Sequence, residues 1–124
     1  MKYLLDTNVC IKILNGNNSP VLSRIENIPL EDVGISSVVA YELFYGAYKS
    51  QRVNENVQRI KSFTNNIKIL PFSFKESNIA GQIRAYLEKI GTQIGPNDLL
   101  IGATALENDL ILVTHNTKEF SRIE

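Results

Sequence analysis

Tryptophan is absent from the 124 residues, cysteine and histidine occur once each, and acids and bases balance at thirteen apiece. One cysteine excludes an intramolecular disulfide, and the single Cys and His leave no cluster for a metal site built on sulfur and imidazole. Zero net charge removes whole-molecule electrostatics as a sign of a nucleic-acid or membrane partner, so only local patches can argue for one. No apolar run approaches the roughly 18 residues a spanning helix needs, and no basic segment followed by an apolar one opens the chain. Neither the P-loop spacing nor GxGxxG occurs, and Gly81, Gly91, Gly95 and Gly102 do not form a phosphate-cradling loop. These absences lead to the expectation of one soluble, cytoplasmic domain over 1–124, with no membrane association. A hydrophobic content of 44% and a charged content of 21% suit such a domain, and the length suffices for a real core.

What is present reads as strands alternating with helices. Tyr3 to Leu5 is a short apolar strand, followed by a helix from about Asn8 to Asn15 that the Gly16 cluster stops. Cys10 falls in that apolar helix and is expected to be a buried small hydrophobe. Ser19-Pro20 opens a helix running to Ile28. Val33-Gly34-Ile35 is a second strand, and Ser36 or Ser37 caps a helix from Val38 to Lys49. Asn54 caps a helix to Thr64, Ile67 to Leu70 is a third strand, and Ser73-Phe74-Lys75-Glu76 is a capping box that opens a long helix ended by Gly91. Gly95-Pro96-Asn97 starts a strongly apolar helix. Leu110 to Thr114 is a continuous apolar run of the kind buried in parallel sheets, and a short helix begins near Thr117. Strands separated by helices, without two-residue hairpins, predict an α/β fold with a parallel sheet covered on both faces.

Most of the acids have an ordinary home on helix faces, in caps or in loops, Glu76 among them, and are expected to be solvated. Three do not. Asp6 ends the first strand, Glu42 sits among apolar residues one turn into its helix, and Asp98 immediately precedes a run that must be buried. Ionised carboxylates are rarely buried unless paired or bound to metal. Each has a plain structural alternative: Asp6 as a helix cap, Glu42 paired with a Lys or Arg, Asp98 as a first-turn partner of its helix dipole. Together they fall at strand ends or helix starts, which in an open parallel sheet face the ligand crevice. Acids gathered there repel, so a hard, oxygen-loving cation, Mg²⁺ or Mn²⁺, is expected among them. Asn116, just past the last strand, is either an N-cap paired with Glu119 or part of the site, and Thr114 could offer its hydroxyl to a bound water or to Asp6. His115, without a His or Cys partner, is not expected to be a ligand. Between Lys49 and Lys75 the bases Lys49, Arg52, Arg59, Lys61, Lys68 and Lys75 face the single acid Glu55, a patch suited to a phosphate backbone. The run Tyr41, Phe44, Tyr45, Tyr48 has surplus aromatic surface for a partner.

Leu5-Asp6-Thr7-Asn8, Ser36-Ser37-Val38 with Tyr41-Glu42-Leu43 and Tyr45-Gly46, Gly95-Pro96-Asn97-Asp98, and Val113 to Phe120 resemble, in this order and nearly end to end, the VapC-type toxins of the PIN-domain ribonuclease family. The resemblance implies a PIN-like three-layer α/β/α sandwich around a parallel sheet. It implies a metal-dependent endoribonuclease acting on RNA, with a structured RNA such as a tRNA as substrate, neutralised by a VapB-type antitoxin and forming a homodimer. Asp6, Glu42 and Asp98 match the family's acidic triad. Asp6 and Asp98 are then the main metal ligands, with Glu42 completing the shell or holding a ligating water. Thr7, Asn8, Thr114 and Asn116 are auxiliary, and Asn116 stands where many members carry a fourth acid. Lys49, Arg52, Arg59 and Lys61 are candidate RNA contacts. Members usually run several residues beyond the point where this chain ends, so a clipped tail is expected. Two other readings remain open: a PIN-like module that binds without cutting, and a phosphohydrolase of the haloacid dehalogenase type, whose second Asp would stand where this chain has Asn8.

Overall fold

The computed structural model describes residues 1–16 and 27–114. The helix expected from Pro20, together with His115, Asn116 and the helix near Thr117, lies outside the described residues. The elements are β1 (Tyr3–Leu5), α1 (Thr7–Asn15), a 3-10 turn (Leu30–Asp32), β2 (Val33–Ser36), α2 (Ser37–Tyr48), α3 (Val53–Thr64), β3 (Lys68–Leu70), α4 (Phe74–Lys89), α5 (Pro96–Glu107) and β4 (Ile111–Val113). The four strands form one parallel sheet in the order β3-β2-β1-β4. Tyr3 pairs with Val33 on one side and Ile111 on the other, while Ile35 pairs with Ile69. The chain thus doubles back across β1, and the open end of the sheet gathers the residues that follow each strand.

Helices cover both faces. Leu4 and Leu5 are neighbours on β1 and point to opposite faces, yet they are 0% and 1% exposed. The main core joins them to Val9, Cys10, Ile35, Val39, Leu43, Val57, Ile60, Ile101 and Ala105. A smaller cluster of Ala80, Leu99 and Ala103, with Ile79 and Ile83 against it, packs α4 on α5.

Local chemistry sets the boundaries. Asp6, not a later residue, caps α1, so that helix begins at Thr7, and Gly16 closes it in the left-handed conformation at φ 68°. Ser36 caps α2, its hydroxyl accepting from Val39 N at 3.1 Å. Ser37 instead accepts from Phe72 N at 3.0 Å, tying the end of β3 to α2. Asn54 does not cap α3: the helix starts at Val53, with Arg52 in the cap position, two residues earlier, and no side-chain cap bond. Ile67 and Thr114 lie outside the strands they were expected to extend. Among the described residues β4 pairs only with β1, and Ile111 is 60% exposed where a buried strand was expected.

Glu76 is the larger correction. Its capping box forms, but the side chain is buried rather than solvated. Oε1 accepts from Ser73 N at 3.0 Å and from the Ser73 hydroxyl, and Oε2 accepts from Asn108 Nδ2 at 2.9 Å. Asn108 stands at the far end of α5, so one carboxylate clamps the start of α4 to the finish of α5. Burial by itself would raise this carboxyl, but the bonds from Ser73, Asn108 and the backbone outweigh it and hold it down to about 2.

A carboxyl lower in the folded than in the unfolded chain adds stability above its ordinary value near 4.5 that is lost as pH falls toward 2. Glu76→Gln sets an amide N–H₂ against a donor it used to accept from, and at neutral pH should cost on the order of 1–3 kcal/mol. Melting followed by circular dichroism should show the wild-type advantage shrinking between pH 4.5 and 2. A gap constant across that window would refute the clamp. At Gly34, a Cβ would meet the Lys68 carbonyl oxygen at 2.8 Å, a backbone atom held in the ladder. Gly34→Ala should lower the denaturant midpoint by about 1–3 kcal/mol equivalent. An unchanged midpoint would show that β2 and β3 can spread.

Candidate active site

The strand-end acid and its two followers build the rim. Asp6 leaves β1 in extended conformation and turns into α1, so its carboxylate points back over the helix start. Oδ1 accepts from Val9 N at 2.9 Å, and Oδ2 accepts from the Thr114 hydroxyl just past β4. The bond to Asp6 is one of the two uses open to Thr114. Asp6 is 3% exposed. Beneath it Cys10 is fully buried, as expected, and burial, reinforced by the neighbouring Asp6 charge, pushes its thiol far above the usual range. That thiol is inert at neutral pH.

The next residue reaches the second acid. Thr7 Oγ1 donates to Glu42 Oε1 at 2.5 Å, and Asn97 Nδ2 donates to Glu42 Oε2 at 3.0 Å. Glu42 is half-buried on α2 and satisfied by two neutral donors, where a Lys or Arg partner had been one expectation. Among the described residues the salt bridges are Arg52–Glu55 and Arg84–Glu88, neither of which involves Asp6 or Glu42. Asp98 follows Asn97 in the first turn of α5, half-buried, with Oδ2 3.6 Å from where a Cβ on Gly95 would stand. It lies where a carboxylate complements the helix dipole.

Asp6, Glu42 and Asp98 are therefore joined on one rim by two hydrogen bonds and two peptide links: Asp6–Thr7, Thr7 to Glu42, Glu42 to Asn97, Asn97–Asp98. They do not form a ready-made cage. Among the described residues no three His, Cys, Asp or Glu side chains group closely enough to hold a metal ion by themselves. The cap role of Asp6 and the first-turn place of Asp98 are both realised at this rim. The donor set at this rim is oxygen throughout, from carboxylates, hydroxyls and an amide, which suits a hard cation in kind.

The remaining candidates separate. Asn8 is exposed one residue beyond Thr7. Arg59 lines a groove of about 250 Å³ between α1, α2 and α3 that Glu42 also lines, and its guanidinium donates to the Leu14 carbonyl. Arg52 is paired with Glu55 at 3.6 Å, Lys49 Nζ lies 5.0 Å from the Tyr45 ring centre, and Lys61 is exposed on α3. Tyr41, Tyr45 and Tyr48 are all more than half exposed, whereas Phe44 packs against the core. Asn97 was missed as a site residue, since Gly-Pro-Asn reads as a helix start. The available signal was an amide beside an acid in a helix first turn.

The PIN domain family model matches residues 3–124. The chain is 39% identical to the tRNA(fMet)-specific endonuclease VapC of Shigella flexneri, over 99% of this chain and 92% of that protein. It is 38% identical to ribonuclease VapC2 of Rickettsia felis over the same shares. The structure superposes with a TM-score of 0.91 on a chain of the DNA-bound VapBC structure from Salmonella typhimurium, at 35% identity and covering 99% of this chain and 92% of that one. The match spans both the sheet and the rim residues, and it displaces the haloacid dehalogenase alternative. The chain belongs to the PIN-domain family, among its VapC-type ribonucleases.

Proposed function

We propose that this chain hydrolyses RNA phosphodiester bonds with a divalent metal ion, Mg²⁺ or Mn²⁺, held at the rim beyond β1. The observation that carries the reading is Asp6. A carboxylate 3% exposed at the end of a central strand, bonded to a backbone amide and a hydroxyl without an ion-pair partner among the described residues, is costly unless a cation offsets it. Asp6 and Asp98 would hold the ion, whose chemistry is to lower the pKa of a bound water and offset charge on the phosphorane-like transition state. Among the described residues Asp6 accepts two hydrogen bonds of the roughly four its oxygens allow, which leaves lone pairs for a ligand there. Thr114 and Val9 fix the direction of those lone pairs. Glu42, bonded by two neutral donors, would hold a water or orient a proton acceptor. Asn116 and Asn8 are proposed auxiliary groups.

The substrate proposed is a structured RNA of the tRNA class, which the printed specificity of the Shigella relative supports. Lys49, Arg52, Arg59 and Lys61 are the proposed phosphate contacts, Arg59 foremost because it shares a groove with Glu42. A VapB-type antitoxin is the proposed partner, supported by the relatives solved as VapBC complexes. A homodimer and a cytoplasmic location complete the reading. Among the described residues no helix is long and apolar enough to cross a membrane.

Asp6→Asn tests the site directly. Asn caps helices about as well as Asp, and the Thr114 hydroxyl can turn from donor to acceptor, so melting should stay within about 5 °C of wild type. Cleavage of a tRNA pool by the purified chain should fall by more than about 100-fold, beyond what loss of an outer hydrogen bond to a metal ligand costs. EDTA should abolish wild-type cleavage and Mg²⁺ or Mn²⁺ restore it. An Asp6→Asn chain that still cuts, or RNA retained by the wild type without shorter products, would defeat the proposal.

A further inference from the structure

We infer that Asn97 is a positioning residue: with Thr7 it fixes the carboxylate of Glu42 and sets where that charge stands relative to Asp98. The inference rests on the site reading proposed above. Both Glu42 oxygens are engaged, Oε1 by a hydroxyl from α1 at 2.5 Å and Oε2 by an amide from α5 at 3.0 Å. Two donors on two different elements remove the freedom of a glutamate side chain to swing. Neither donor carries charge, so the direction of the carboxylate is fixed without an ion pair, which a Lys or Arg in either place would form.

Asn97 also differs from Thr7 in what it is attached to. Successive residues on a helix diverge by about 100°, so with the Asn97 amide seated on Glu42 the Asp98 side chain is held at a set angle away from it. α5 cannot slide along its axis without breaking that bond. The plain alternative is a tie that only fastens α5 to α2. The two differ in what they protect: a fastening protects stability, whereas a positioning bond protects the affinity of the rim for a cation.

The experiment titrates Mn²⁺ into the purified chain and follows the free-ion resonance, beside single-turnover RNA cleavage and thermal melting. Asn97→Ala should weaken Mn²⁺ binding about 10–100-fold and lower kcat to a similar degree, with KM unchanged. In a Glu42→Ala background the same substitution should alter Mn²⁺ binding by less than about twofold, because the group it orients is gone. If Asn97→Ala melts far below wild type, Asn97→Ser, which suits a helix first turn, takes its place in the same cycle. Equal Mn²⁺ affinity for wild type and variant would overturn the inference and leave the nuclease reading intact. So would an equal loss with and without Glu42. A wild-type chain that binds no Mn²⁺ would overturn both.

Discussion

The carboxylate at the end of the central strand is bonded, among the described residues, to a backbone amide and a hydroxyl, with a buried thiol nearby. Asp6 is the place where the fold and the site share one group. As the cap of α1 it satisfies Val9 N, which would otherwise be an orphan donor at a buried helix end. As the acceptor for Thr114 it links the residue after β1 to the residue after β4. The parallel order β3-β2-β1-β4 makes this possible, because only parallel neighbours deliver their carboxyl ends to the same rim.

α5 is held by carboxylates at both ends. Its first turn reaches Glu42 through Asn97, and its last reaches Glu76 through Asn108. In each case an asparagine amide donates to a glutamate on another helix. Between the ends run Leu99, Ile101, Ala103 and Ala105, all buried, so packing fixes the helix sideways while the polar ties fix it lengthwise. The helix that carries Asp98 is thereby held both along and across its axis.

The sequence was most legible where one cause acts alone. Alternating short apolar runs and capped helices gave the parallel α/β fold, and acids that follow strands or open helices gave the rim. It was less legible where the answer depends on a neighbour. The burial of Glu76 depends on Asn108, thirty-two positions away, and no local pattern announces that an i to i+3 capping box will be roofed by another helix. The exposure of Ile111 depends on what covers that face of the sheet, which the apolar run itself does not announce. Asn97 was hidden by its own helix-start motif, one signal masking another. The basic patch read as a unit because its members are close in sequence, but tertiary contacts divide it, with Arg59 on the Glu42 groove and Arg52 taken up by Glu55.

Cys10 gives the seam between β1 and α1 a built-in sentinel. The thiol has no exposed surface, and its ionisation is suppressed by its surroundings and by the carboxylate above it. A water-borne alkylating reagent can reach it only while that seam stands open. The pace of its modification therefore counts the breathing of the very strand end that presents Asp6, and a ligand that staples the rim shut would slow the count.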